Sequence, residues 1–187
     1  MRVIAGTRRS IKLKTLEGME VRPTLDQTKE TLFNVLQPII YDARFLDLYS
    51  GSGGIGIEAM SRGAKECVMV EQNPKVIKVI KENLGHTKFD DFANLMQCDV
   101  FSAISRLSVQ KKKFDIIFLD PPFNKGLEIE TLKALSEASI MEEDATIVVE
   151  CSNLTDLSKA SDFGFEMIKE KRYSSNRHVF FKLTTQK

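Results

Sequence analysis

With 187 residues, 42% of them hydrophobic and 28% charged, the chain suits one globular domain with a small appendage and a substantial core. No stretch approaches the roughly 20 apolar residues of a membrane span, and Met1-Arg2-Val3-Ile4-Ala5-Gly6-Thr7-Arg8 lacks the apolar centre of a signal peptide, so a cytoplasmic protein is expected. The net charge of +1 conceals basic ends around an acidic body: six basic against two acidic residues over 1–22 (+4) and six against one over 169–187 (+5), leaving −8 between them, a pattern that reads either as scattered solvated charge or as an anionic partner docking where the termini lie.

Residues 2–5 and 11–16 read as two short strands around Gly6-Thr7-Arg8-Arg9-Ser10, a hairpin with a basic turn. Two strands alone are marginal in water, so this piece (1–22) must lean on the main domain (23–187) or on its ligand. After Arg22-Pro23-Thr24 a helix is expected. Thr24 and Gln27 form a capping-box pair, Leu25, Leu32, Phe33 and Leu36 share one face, and Pro38 closes it. Arg22 and Lys29 lie at or beside the helix start, where they would either bind phosphate or sit in water.

Residues 44–49 predict the first core strand. It runs into Ser50-Gly51-Ser52-Gly53-Gly54-Ile55-Gly56 and then a helix that Gly63 stops. Strand, glycine loop and helix are the context that makes G-x-G-x-x-G (Gly51, Gly53, Gly56) credible, because the backbone can pass close to a ligand there. Residues 67–70 predict a second strand ending at Glu71. That acid lies 20 residues after Gly51, a spacing at which a carboxylate can receive two ribose hydroxyls. Asn73-Pro74 opens a helix with Val76, Ile77, Val79, Ile80 and Leu84 inside and Gly85 as its stop. A strand over 94–98 leads to Asp99, and a short helix follows near 101–108. The triple lysine 111–113 reads as a solvated loop.

Residues 114–119 predict a buried strand ending abruptly in Asp120-Pro121-Pro122-Phe123. The prolines cannot continue a ladder, so a carboxylate, a rigid turn and an aromatic ring stand at its tip. A helix over 127–138, a strand over 145–150 and an antiparallel pair over 165–172 and 177–183 complete the chain. Alternating strands and helices imply a doubly wound, mostly parallel sheet. Its ligand crevice lies at the strands' C-terminal ends, and Asp47, the glycine loop, Glu71, Asp99 and Asp120–Phe123 all belong to that rim.

Asp47 bears on the cofactor. A dinucleotide would bring a pyrophosphate beside it, whereas S-adenosylmethionine (SAM) brings an ammonium and a sulfonium. Asp99 can accept from an adenine amino group. Together with Asp-Pro-Pro-Phe, these features favour SAM over a nicotinamide. Cys67, Cys98 and Cys151 are odd in number and in no CxxC pair, and read as reduced core residues with no metal site. His86 and His178 show no partner that suggests a triad or a metal, and read as structural or solvated.

Asp47-x-Tyr49-x-Gly51-Ser52-Gly53, Glu71, Asp99 and Asp120-Pro121-Pro122-Phe123 resemble the motifs of class I SAM-dependent amino-methyltransferases. Arg22-Pro23-Thr24, Lys29-Glu30-x-Leu32-Phe33-Asn34 and Gly51-Ser52-Gly53 followed by Glu58-Ala59, with the basic hairpin Arg2 to Lys14, resemble more narrowly the bacterial 16S rRNA guanine-N2 methyltransferases. Gln27 stands where a basic residue is expected in that family. The resemblance implies a Rossmann-like α/β fold whose seven-stranded sheet has an antiparallel C-terminal strand and a small N-terminal hairpin. It implies a SAM site at Asp47, Tyr49, Gly51, Ser52, Gly53, Gly56, Glu71, Gln72, Asp99 and Val100, and catalysis at Asp120, Pro121, Pro122 and Phe123. It implies RNA contacts at Arg2, Arg8, Arg9, Lys12, Arg22, Thr24, Lys29 and Lys125. The expected partner of this monomer is 16S rRNA, a 30S subunit or an assembly intermediate, with no metal. Asp-Pro-Pro-Phe is shared with DNA and protein-glutamine amino-methyltransferases, which is the alternative activity.

Overall fold

The structure, a computed structural model, describes residues 1–16, 26–123 and 125–184. Two compact units divide the chain, Met1–Asp99 and Val100–Lys187.

In the first unit, α1 (Asp26–Leu36) precedes β1 (Arg44–Leu48), α2 (Gly54–Ser61), β2 (Glu66–Val70), α3 (Pro74–Thr87) and β3 (Ala93–Met96). The strands are parallel in the order β3-β2-β1, with Leu48 beside Val70 and Val70 beside Met96. Phe45, Leu46 and Leu48, like Val68, Met69 and Val70, are buried without alternation, as expected of parallel strands covered on both faces. On α1, Leu32, Phe33 and Leu36 are fully buried, and the Phe33 ring stacks on Phe45 of β1 at 6.5 Å. Thr24 and Leu25, assigned above to this helix's cap and apolar face, lie outside the described residues. α3 starts as expected, with Asn73 Oδ1 accepting the Lys75 N–H and Pro74 at the first position. It does not stop at Gly85. It runs on to Thr87 and ends at Lys88 in the left-handed conformation.

The N-terminal hairpin is reduced to one antiparallel bridge, Arg2 to Lys12, with a short 3-10 turn over Gly6–Arg8. The Val3 N–H donates to Ile11 O and the Leu13 N–H to Met1 O. Val3 and Leu13 are buried, so this arm is part of the first unit's packing.

The second unit holds α4 (Val100–Val109), β4 (Phe114–Leu119), α5 (Leu127–Glu137), β5 (Met141–Ser152), β6 (Phe165–Arg172) and β7 (Asn176–Leu183). Its strand order is β4-β5-β7-β6, parallel between β4 and β5 and antiparallel thereafter. β5 is longer than its apolar run, because Met141 pairs with Phe114 ahead of an irregularity at Phe114/Ile116. The seven strands form an α/β fold, three in the first unit and four in the second. No described helix is long and apolar enough to cross a membrane.

Candidate active site

The glycine loop follows β1. Tyr49 takes a left-handed φ of 66°, rare for a residue with a Cβ, and Gly53 one of 78° as it opens α2. At Gly56 an added Cβ would stand 2.5 Å from Met69 Cε, 2.7 Å from Cys67 Sγ and 3.2 Å from Asp47 Oδ2. Glycine there lets α2 settle on β1 and β2. The loop is braced by acids. Gly56 N–H donates to Asp47 Oδ2 at 3.1 Å, and Ser50 Oγ donates to Asp47 O at 2.8 Å. Glu71 spans loop and strand tip: Oε2 accepts Gly51 N–H at 3.2 Å and Oε1 accepts Asn73 N–H at 2.8 Å. A carboxylate has about four lone-pair sites, so Glu71 keeps capacity for further donors.

Asp47 is 1% exposed. Burial pushes its carboxyl up to about 7; the Gly56 N–H works against that and the nearby charge of Glu71 adds to it. A buried acid poised near neutrality behind a glycine loop is suited to a cation. Of the remaining cofactor candidates, Gln72 and Asp99 are exposed at the ends of β2 and β3, and Val100 is buried at the start of α4.

In the second unit the buried run Ile116–Leu119 delivers Asp120 to the tip of β4, half-buried, followed by buried Pro121, exposed Pro122 and half-buried Phe123. Lys125 is exposed. Leu119 pairs with Val149, so Glu150 is the next residue of the neighbouring strand, and it pairs in turn with His178. His178 is fully buried. Its Nε2 lies 3.0 Å from Glu150 Oε2 and its Nδ1 3.1 Å from the Tyr173 hydroxyl, while Asn176 Nδ2 donates to Glu150 Oε1 at 2.6 Å. Of the two readings given to His178, structural or solvated, the structure has the first: it belongs to a largely buried polar chain beside the strand carrying Asp120. The signal available in the sequence was Glu150 ending an apolar strand, since a buried carboxylate there needs partners.

The proposed RNA contacts are placed unequally. Arg9 and Lys12 are exposed on the arm. Arg2 is exposed and paired with Asp26 at 2.8 Å. Arg8 is half-buried, donating from Nε to Thr87 O with its guanidinium 5.2 Å from the Phe89 ring centroid. Lys29 is corrected: it is 0% exposed, pairs with Glu58 Oε2 at 3.2 Å and donates to Arg2 O, so it fastens the arm and has no surface to offer RNA. Arg22 and Thr24 lie outside the described residues. Among those described, no group of three or more His, Cys, Asp and Glu could hold a metal ion.

The profile of the family described as Conserved hypothetical protein 95 matches residues 1–182. The chain is 37% identical over 150 residues to ribosomal RNA small subunit methyltransferase D of Escherichia coli (strain K12), covering 80% of this chain and 74% of that one. It is 35% identical over 175 residues to the protein of the same name from Haemophilus influenzae, covering 91% and 88%. Among solved structures, the yhhF protein of Escherichia coli superposes with a TM-score of 0.84 at 32% identity, over 100% of this chain and 99% of that one. With a profile match over nearly its whole length, the chain belongs to the family described as Conserved hypothetical protein 95, that of the ribosomal RNA small subunit methyltransferase D proteins.

Proposed function

We propose that the chain transfers a methyl group from SAM to the exocyclic N2 of a guanine in 16S rRNA. It acts in the cytoplasm as a monomer, on the rRNA, the 30S subunit or an assembly intermediate. The observation that carries this reading is Asp120-Pro121-Pro122-Phe123 at the tip of a buried strand, in a chain whose relatives are named rRNA methyltransferases. The first unit fits SAM: Asp47 and Glu71 suit its cationic and ribose hydroxyl groups, Asp99 its adenine, and the glycine loop lets the backbone approach. Bound SAM supplies an electrophilic methyl group on a sulfonium. An aromatic amine is a poor nucleophile, because its lone pair is delocalised into the ring. Asp120 and the Pro121 carbonyl each accept one N–H of that amine, which orients its lone pair. Asp120 then stabilises the positive charge that grows on the nitrogen, and once the methyl group's bond to sulfur has given way to its bond to nitrogen, leaving the neutral thioether, the methylated amine gives up one N–H proton to Asp120 or to water. Phe123 stacks on the base, which must leave any helix to expose its N2. Stacking of this kind contributes about 1–3 kcal/mol per base. Tritium transfer from labelled SAM should mark 16S rRNA or 30S particles; label confined to DNA or protein would contradict the substrate.

Asp47 makes cofactor binding pH-dependent. Its folded-state value lies above that of the unfolded chain, so folding retains a proton that the ionised form would release. A cation bound beside it favours the carboxylate. SAM affinity is therefore expected to rise with pH, by up to about tenfold per unit, and to level off above about 7. Calorimetry between pH 5.5 and 7.5 in buffers of different ionisation enthalpy should show proton release, and Asp47→Asn should remove it.

The arm is proposed to hold RNA phosphates through Arg9 and Lys12, assisted by Arg2 and Arg8. Arg9→Glu with Lys12→Glu should weaken binding uniformly across RNA sequences. The slope of log affinity against log salt should become shallower by about 0.7–0.9 for each phosphate the variant no longer neutralises, measured by filter binding.

A further inference from the structure

Asn83 lies in α3, 1% exposed, with both amide atoms of its side chain engaged by other segments. Its Oδ1 accepts the Lys14 N–H at 2.8 Å. Its Nδ2 donates to Lys14 O at 3.0 Å and to Ser52 O at 2.9 Å. One side chain thus grips both backbone groups of an arm residue, as a neighbouring strand would, and at the same time a carbonyl of the glycine loop. Met1 reinforces the link: its Sδ lies 3.9 Å from Ser52 Oγ and occupies the space a Cβ at Gly54 would need. Glu58, one turn into the helix that the loop opens, accepts the N–H groups of Ile4 and Ala5 at 2.7 and 3.0 Å. The arm bearing the exposed cations is built onto the loop and the two helices beside it, within one compact unit.

We propose that Asn83 is a positioning residue that couples the two binding events, so that a cofactor in the glycine loop and RNA on the arm each strengthen the other. This rests on the reading above, in which the loop holds SAM and the arm holds RNA. A ligand that fixes Ser52 also fixes the amide bonded to it, and the remaining bonds of that amide are those that hold Lys14. Ordering already completed by the first ligand need not be repeated for the second, which produces cooperativity with no change of shape. The coupling is reciprocal: the factor by which the cofactor raises RNA affinity equals the factor by which RNA raises cofactor affinity, about 5- to 20-fold here.

The test uses the full chain and S-adenosylhomocysteine (SAH) as probe. Saturating SAH should slow amide hydrogen exchange at Ile4, Ala5 and Lys14 by at least about fivefold in the wild type. In Asn83→Ala the arm should no longer respond. In Ser61→Ala, which removes the hydroxyl bonded to Ala5 O and the Arg8 N–H but keeps the three Asn83 bonds, Lys14 should still respond. In steady-state assays Asn83→Ala should raise KM for both SAM and a 16S rRNA transcript while kcat at saturation is retained, a split that mere loss of stability does not produce. SAH binding without any change in arm exchange in the wild type would overturn the coupling and leave the cofactor reading standing. Coupling undiminished in Asn83→Ala would overturn the role of Asn83. Failure to bind SAH at all would overturn the cofactor reading and the proposal with it. Should Asn83→Ala not fold, Asn83→Ser, which also loses the three bonds of the amide, takes its place in the same exchange and kinetic measurements, and an arm that still responds to SAH there would overturn the role of Asn83.

Discussion

Asp120→Ala is expected to reduce methyl transfer onto rRNA by at least about 10²–10³-fold, with SAH affinity within about twofold of the wild type. The magnitude is that of removing one preorganised acceptor from a site where charge develops in the transition state. Binding is spared because the proposed partner of Asp120 is the substrate amine, whereas the proposed cofactor residues are Asp47, Tyr49, the loop glycines and Glu71. Asp120→Asn should be intermediate, since an amide still accepts an N–H but carries no charge to meet the nitrogen's growing positive charge. Single-turnover kinetics with calorimetry on the same preparation separate the two effects. Full activity in Asp120→Ala would sink the proposed chemistry.

Glu58→Gln should produce the largest loss of stability, about 3–5 kcal/mol, as expected when one partner of a buried ion pair is removed. The Glu58 carboxylate is 0% exposed and accepts from four donors: the Ile4 and Ala5 N–H groups, Lys29 Nζ at 3.2 Å and Arg62 Nε at 2.8 Å. Burial pushes the Lys29 ammonium down while Glu58 supports its charge, so without Glu58 burial is hardly opposed. The folded variant then binds fewer protons than the unfolded chain in the alkaline range, and its stability recovers as pH rises there. Urea unfolding at pH 7 and pH 9 should show a lowered midpoint at both, with the smaller deficit at pH 9. A midpoint unchanged from the wild type would contradict the account of how the arm is held.

These two sites differ in how plainly the sequence announces them. β4 and the Asp-Pro-Pro-Phe tip are readable because several rules agree on them: a continuous apolar run, β-branched residues, and prolines that end the ladder. The glycine loop is readable for a similar reason, since its glycines stand between a strand and a helix. Lys29 escapes because a lysine beside a helix start usually faces water. Yet Lys29, Leu32, Phe33 and Leu36 stand at i, i+3, i+4 and i+7, which places the lysine on the buried stripe. What the pattern could not supply is its partner Glu58, 29 positions further along the chain. Gly85 looks like a helix stop because glycine is a poor helix former, but a helix packed through Val76, Ile77, Ile80 and Leu84 tolerates one. His178 is legible as structural, but its partners, Glu150 and Tyr173, are not, because they meet it only through antiparallel pairing and a strand connection that no local pattern encodes.

The most direct test of the central claim is to treat unmodified 16S rRNA and 30S particles with the chain and labelled SAM, digest the RNA, and separate the nucleosides by chromatography and mass spectrometry. Label should appear in N2-methylguanosine at one position of the 16S rRNA, and should be absent with Asp120→Ala. Label in N6-methyladenosine or N4-methylcytosine, or none in rRNA alongside transfer to DNA or protein, would contradict the proposed function.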